Sequence, residues 1–99
     1  MRAMASHDDI VIEELRKDPV FAQEYLNQAI EGLNEEGGEA CFLLALRHIV
    51  EARSGFTEVA TAAGLSRESL YRALSSRGNP TLRTLKKVVQ ATGLTFARA

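Results

Sequence analysis

Between residues 66 and 79 the sequence SRESLYRALSSRGN sets three arginines, a carboxylate, a tyrosine and several hydroxyls within a few helical turns. Arginine carries a planar fork of donors that matches guanine O6 and N7, a pairing worth roughly 1–3 kcal/mol of base discrimination. A helix entering the major groove brings its N-terminal part closest to the base edges. Arg67 and Glu68 fall in that part, with Ser66 just before it and Arg72 one turn later on the outward side. These four are the candidate base contacts. Glu68 can accept from cytosine N4 or orient Arg72, its i+4 neighbour. Orientation is the expectation, because a carboxylate beside phosphates is costly unless paired. Tyr71 is open to two roles, a phosphate contact through its hydroxyl or a partly buried packing residue. Ser75, Arg77 and Asn79 fall where an exit loop would pass a sugar-phosphate backbone. Thr57 and Ser66 stand at helix starts, where exposed N–H groups suit phosphate. Arg83, Lys86 and Lys87 further on read as a solvated helix face that adds diffuse attraction.

Other chemistries find little support. Cys41 and His48 are seven residues apart on one helical side, with no third group at a recognisable spacing, so both read as structural residues. His7 falls in the expected tail. A single cysteine excludes an internal disulfide and argues against a cysteine-based zinc site. The serines have no general base at a recognisable spacing. No phosphate-cradling glycine loop appears, and EEGGE lacks the alternating oxygen ligands of a calcium loop. The expectation is a protein that is not an enzyme and needs no cofactor or metal.

The elements that must position these groups all read as helices. HDDIVIEELRK predicts a short first helix with Ile10, Leu15 and Val11 inward. Asp18 caps a second, with Pro19 at its first position. In that helix Ala22, Leu26, Ala29, Ile30 and Leu33 form one apolar face. A third helix over about 39–53 buries Phe42, Ala45, Leu46, Ile49 and Val50. Thr57 is expected to cap a short helix, EVATAA, closed at Gly64. Ser66 caps the next, without a full capping box because Ser69 holds its third position. Thr81 caps a final helix with Leu82, Leu85, Val88 and Val89 inward, ended by Gly93. LTFARA is left as a short strand or a loose tail.

The pair of short helices around Gly64 meets the demands of a tight corner. Ala60 is small where the helices cross, Gly64 tolerates positive φ, and Val59, Ala63, Leu65 and Leu70 can pin the corner to a core. FTEVATAAGLSRESLYRAL followed by GNPTLRTLKKVVQATGL resembles the lambda-repressor/Cro class of helix-turn-helix domains. More narrowly, GLSRESLYRALS with GNPTL and the later TL, KV, A and GL is similar to the antidote (antitoxin) proteins of addiction modules. The run DPVFAQEYLNQAI, residues 18–30, fits that family as well. The resemblance covers about residues 10–96. It implies an all-α bundle of five to six helices, binding to the module's own operator, and complex formation with a RelE/ParE-like toxin. Ala73 stands where a larger aliphatic is usual, so Leu74 or a neighbouring helix must help fill that place. Phe56 stands where repressors commonly carry a polar phosphate contact.

The charge distribution bears on partners. Residues 1–50 carry four Lys/Arg against ten Asp/Glu, and residues 51–99 carry eight against three, balances of −6 and +5 in a chain of net charge −1. A basic half suits nucleic acid, and an acidic half suits a basic protein. Glu24, Glu31 and Glu35 are candidate partner contacts, alongside the plainer reading of a solvated face. Ninety-nine residues, 45% hydrophobic, suit one small domain: a tail at 1–7, then 8–99, with N-terminal helices over 8–53 and the corner with its following helix over 56–94. No run is long enough to span a bilayer and MRAMASHDD has no signal-peptide centre, so a cytoplasmic protein is expected. Two half-sites give specific affinity that one cannot, so a homodimer on double-stranded DNA is expected. The alternatives are a Cro-like regulator without a toxin, or an interaction module that has lost DNA binding.

Overall fold

A computed structural model describes residues 6–96, and among them forms six α-helices, a single 3₁₀ turn and no strand. The helices are α1 (His7–Lys17), α2 (Pro19–Glu31), α3 (Gly38–Arg53), α4 (Phe56–Ala63), α5 (Arg67–Ala73) and α6 (Leu82–Ala91), with the 3₁₀ turn Gly32–Asn34 following α2. The all-α expectation therefore holds.

Local chemistry starts most of these helices. Ser6 and Asp9 form a reciprocal capping box on α1. The Asp18 carboxylate accepts from the Val20 and Phe21 N–H groups, with Pro19 supplying a preset φ. Thr81 Oγ1 accepts from the Thr84 N–H at the start of α6. The expected cap at Thr57 is not formed. Gly55, at φ 85°, precedes the first helical residue, Phe56, and Thr57 lies inside the first turn. The helix opens earlier than its polar residues suggest because the Phe56 side chain is buried.

The 16-residue α3 runs through the middle of the core, with Phe42, Leu43, Ala45, Leu46, Ile49, Val50 and Ala52 buried. Both α1 and α2 pack on it, while α4 packs on α5 and α6. One continuous apolar cluster runs from Leu15 to Leu94 and joins the acidic and basic halves. Two inward assignments fail. In α1 the inner stripe is Leu15 with Val11 and Ile12, and Ile10 is 54% exposed. Residues two apart are about 200° apart on a helix, so Ile10 and Ile12 cannot share a face. In α6 the stripe is Leu85, Val88 and Val89, and Leu82 at the helix start is 62% exposed. Leu74, fully buried just past α5, fills the place left by the half-buried Ala73.

The segment after α6 is neither a strand nor loose as far as Phe96; residues 97–99 of the LTFARA expectation lie outside the described residues, as do residues 1–5 of the tail. Leu94 is buried, and the Phe96 ring meets Phe42 edge-on at 6.4 Å. Gln23 Nε2 donates to the Thr95 carbonyl at 2.9 Å and Gln23 Oε1 accepts from the Thr95 N–H at 3.0 Å. Arg53 is a second long-range tie. Its guanidinium donates to the Thr92 carbonyl at 2.9 Å and to the Leu15 carbonyl at 3.3 Å, serving the C-terminal ends of α6 and α1 together. No helix among the described residues is long and apolar enough to cross a membrane.

Candidate nucleic-acid interface

The corner between α4 and α5 is built on Gly64, whose φ of 74° is a left-handed value that side chains with a Cβ avoid. Its N–H and that of Leu65 close the end of α4, by bonding to the Thr61 and Ala60 carbonyls. Ser66 Oγ then accepts from the Ser69 N–H at 3.0 Å and starts α5. Seven residues are too few to be helical alone, so α5 depends on packing. Leu70 and Leu74, four apart and fully buried, supply it.

With that side committed to the core, Arg67, Glu68, Tyr71 and Arg72 face solvent. Their surroundings differ from the sequence-based expectation at Arg72. Arg72 donates from Nη2 to Ser69 Oγ at 3.3 Å, and no ion pair joins it to Glu68 among the described residues. Ser69 Oγ also lies 2.9 Å from Ser66 Oγ, so the hydroxyls link the helix cap to Arg72. Glu68, in the first turn, has the favourable position for an anion near the helix N-terminus. Tyr71 is 44% exposed, yet its ring lies parallel to that of Phe56, with centroids 4.1 Å apart and 2° between planes. The Arg67 guanidinium carbon is 5.3 Å from the centroid of the same ring.

The exit loop is held tightly. Ser75 Oγ donates to the Arg72 carbonyl at 2.8 Å, so its one hydroxyl proton closes the end of α5 instead of pointing outward. The Gly78 N–H bonds to the Ser75 carbonyl at 2.8 Å. A Cβ at Gly78 would stand 2.0 Å from the Ala73 carbonyl oxygen, so only glycine lets the loop pass this close. Arg77 and Asn79, on either side of it, are exposed. Thr57 and Arg67 line one open depression with Gly55, Glu58 and Thr61, which brings the α4 and α5 starts together. Arg83, Lys86 and Lys87 are exposed on α6, around a separate depression with Leu82 and Gln90.

On the acidic half, Glu24, Glu31 and Glu35 are exposed, as are Val20 and Phe21 near the start of α2. His48, expected to be structural, draws partners from two other helices. Its Nδ1 lies 3.1 Å from the Tyr25 hydroxyl, and its Nε2 lies 3.5 Å from Asp8 Oδ1. Burial, and secondarily the Asp8 charge, push the Tyr25 hydroxyl above its ordinary pKa of 10.0. Tyr25 therefore keeps its proton at neutral pH, and its hydroxyl shares a hydrogen bond with Nδ1. The group ties α1 and α2 to α3. Cys41 is exposed and takes no part.

Sequence reasoning missed the Phe56–Tyr71–Arg67 cluster, the Arg53 clamp and the Tyr25–His48–Asp8 chain. The i, i+4 spacing of Arg67 and Tyr71 was the one legible signal for the first. The other two join residues 23 to 40 positions apart, and no local pattern reports them.

Residues 7–99 match the model of a family described as a probable addiction module antidote protein. An uncharacterized protein of Haemophilus influenzae (strain ATCC 51907 / DSM 11121 / KW20 / Rd) is 45% identical over 74 residues, spanning 75% of this chain and 71% of that protein. No solved structure matches.

Proposed function

The chain belongs to this family of probable addiction module antidote proteins, and from that premise we propose that it is the antitoxin of a toxin–antitoxin pair and the DNA-binding repressor of its own operon. The observation that carries the DNA reading is the corner itself. Gly64 turns the chain, Ser66 caps α5, and Leu70 with Leu74 buries one side. Arg67 and Glu68 are left in solvent at the end of the helix that reaches base edges in helix-turn-helix complexes, with Arg72 exposed one turn later. In this reading α5 is the recognition helix. Arg67 and Arg72 read bases, Ser66 and Glu68 stand at the N-terminal end of α5, and Thr57, Arg77 and Asn79 lie along the sugar-phosphate backbone. Ser75 supports the exit loop from inside. A homodimer places two such helices on half-sites about one turn of DNA apart.

The acidic half supports the second role. Exposed Glu24, Glu31 and Glu35, with Val20 and Phe21 exposed at the start of α2, support a negative surface with apolar anchors for a basic toxin of the RelE/ParE kind.

Titration against the DNA upstream of its own reading frame, at several salt concentrations, tests the first role. A preferred site and a steep loss of affinity with salt are expected, and equal, shallow binding to all sequences would sink it. Co-expression with the neighbouring small reading frame tests the second, with co-elution as the expected result. A neighbour that runs separately refutes the toxin reading and leaves a plain repressor.

A further inference from the structure

The two exposed arginines of α5 are held in different ways, and one of them is held from another helix. Arg67 is the first residue of a seven-residue helix, where a long side chain is least restrained. Its guanidinium carbon nevertheless lies 5.3 Å from the centroid of the Tyr71 ring. That ring is itself stacked on Phe56, the buried first residue of α4. Phe56 cannot move without disturbing the core, Tyr71 is aligned on it to within 2°, and Arg67 is drawn to Tyr71 by the electron-rich ring. Among the described residues Arg72 has one long side-chain hydrogen bond, to the half-buried Ser69 hydroxyl.

We propose that Tyr71, backed by Phe56, is a positioning residue that aims the Arg67 guanidinium at the base it reads, and that it acts through its ring and not its hydroxyl. The inference rests on the DNA-binding reading and gives it a specificity determinant outside the base-contacting set. It also assigns a use to Phe56 at a place where a polar phosphate contact is common in repressors. A pre-aimed side chain loses less rotamer freedom on binding, so the gain appears only at the base pair that Arg67 contacts. The ring quadrupole is shared by Tyr and Phe, so removal of the hydroxyl leaves the arrangement intact.

The test is a binding series on the operator and on single-base variants of it. It uses the wild type, Tyr71→Phe, Tyr71→Leu, Phe56→Leu, Arg67→Ala and the Tyr71→Leu/Arg67→Ala double variant, each shown to be helical by circular dichroism. Tyr71→Phe is expected to bind as the wild type does. Tyr71→Leu and Phe56→Leu each lose about two- to five-fold in preference at one base pair, the range of an exposed cation–π contact. Tyr71→Leu adds nothing once Arg67 is Ala, and the salt slope stays constant throughout. A loss in Tyr71→Phe would mean a hydroxyl contact and would overturn the proposal, as would an equal loss from Tyr71→Leu in both backgrounds. In the free protein, Arg67→Ala shifts the Tyr71 ring resonances in NMR spectra, and unshifted resonances refute the contact without reference to DNA. A wild type that shows no preferred site brings down the DNA reading and this proposal together. A sequence-specific wild type that Tyr71→Leu matches brings down this proposal alone.

Discussion

Replacing Gly78 by alanine tests whether the exit loop is held by sterics or merely punctuated by a flexible residue. A Cβ there would lie 2.0 Å from the Ala73 carbonyl oxygen, 2.6 Å from its carbon and 2.9 Å from the Arg72 carbonyl oxygen. These are backbone atoms closing the last turn of α5, so no side-chain rotation relieves the overlap. Reaching even 3.0 Å from the Ala73 oxygen, the floor of real Cβ contacts, requires a withdrawal of about 1 Å. That movement strains the 2.8 Å bond from the Gly78 N–H to the Ser75 carbonyl. Forced overpacking costs about 1–3 kcal/mol. Loss of the hydrogen bond adds about 0.5–1.5 kcal/mol. Together they come to about 2–4 kcal/mol, a large share of the total stability of a domain this size. Thermal unfolding followed by circular dichroism would register a Tm lower by about 10–25 °C. Gly32→Ala is the control, because a Cβ there meets nothing within 4 Å, and it should stay within about 1 kcal/mol of wild type. Equal Tm values for Gly78→Ala and wild type, or equal losses in both alanine variants, would refute the steric argument.

Three further outcomes follow from the same geometry. Ser66→Ala removes the α5 cap and should cost about 1 kcal/mol in urea unfolding, with Ser66→Asp restoring most of it. Arg53→Met leaves the Thr92 and Leu15 carbonyls without their donors, an expected loss of about 2–4 kcal/mol by the same measurement; Arg53→Lys should recover only part, because a point charge cannot span two carbonyls as a planar fork does. The Tyr25 hydroxyl has its pKa raised in the folded state above the 10.0 of the unfolded chain, so above pH 10 the unfolded state loses this proton first. Its contribution is complete below pH 10 and lost as the pH rises through the folded value. Stability measured by denaturant titration should therefore fall less steeply above pH 10 in Tyr25→Phe than in wild type, and parallel slopes would refute the assignment.

Much of the local architecture was legible because its causes are local. Asp18–Pro19, Ser66 and Thr81 each start a helix by satisfying N–H groups two or three residues ahead, a rule that needs no tertiary partner. Gly64 marks the corner because a left-handed φ excludes most other residues there. The same kind of reading failed at Thr57, where the good capping residue lost to the burial of its neighbour Phe56. It failed at Ile10 and Leu82, since an apolar residue at the edge of a stripe is inward or outward according to what packs there. It failed at Glu68, since an i, i+4 pair in water competes weakly with the hydroxyl that Arg72 finds on Ser69.

The sequence by itself determined an all-α chain, the positions of most helix starts, the Gly64 corner and the separation of negative from positive charge. Each follows from short-range sterics, capping or composition. Tertiary structure alone decided that Phe56 lies beneath Tyr71, that Arg53 closes two distant helix ends and that Gly78 must be glycine. The first two unite groups far apart in sequence, in contacts that exist only once the helices have packed, and the third depends on the path by which the exit loop folds back on the last turn of α5. The aim of Arg67 belongs to that second set: its identity is local, and its position is set from a neighbouring helix through two aromatic rings.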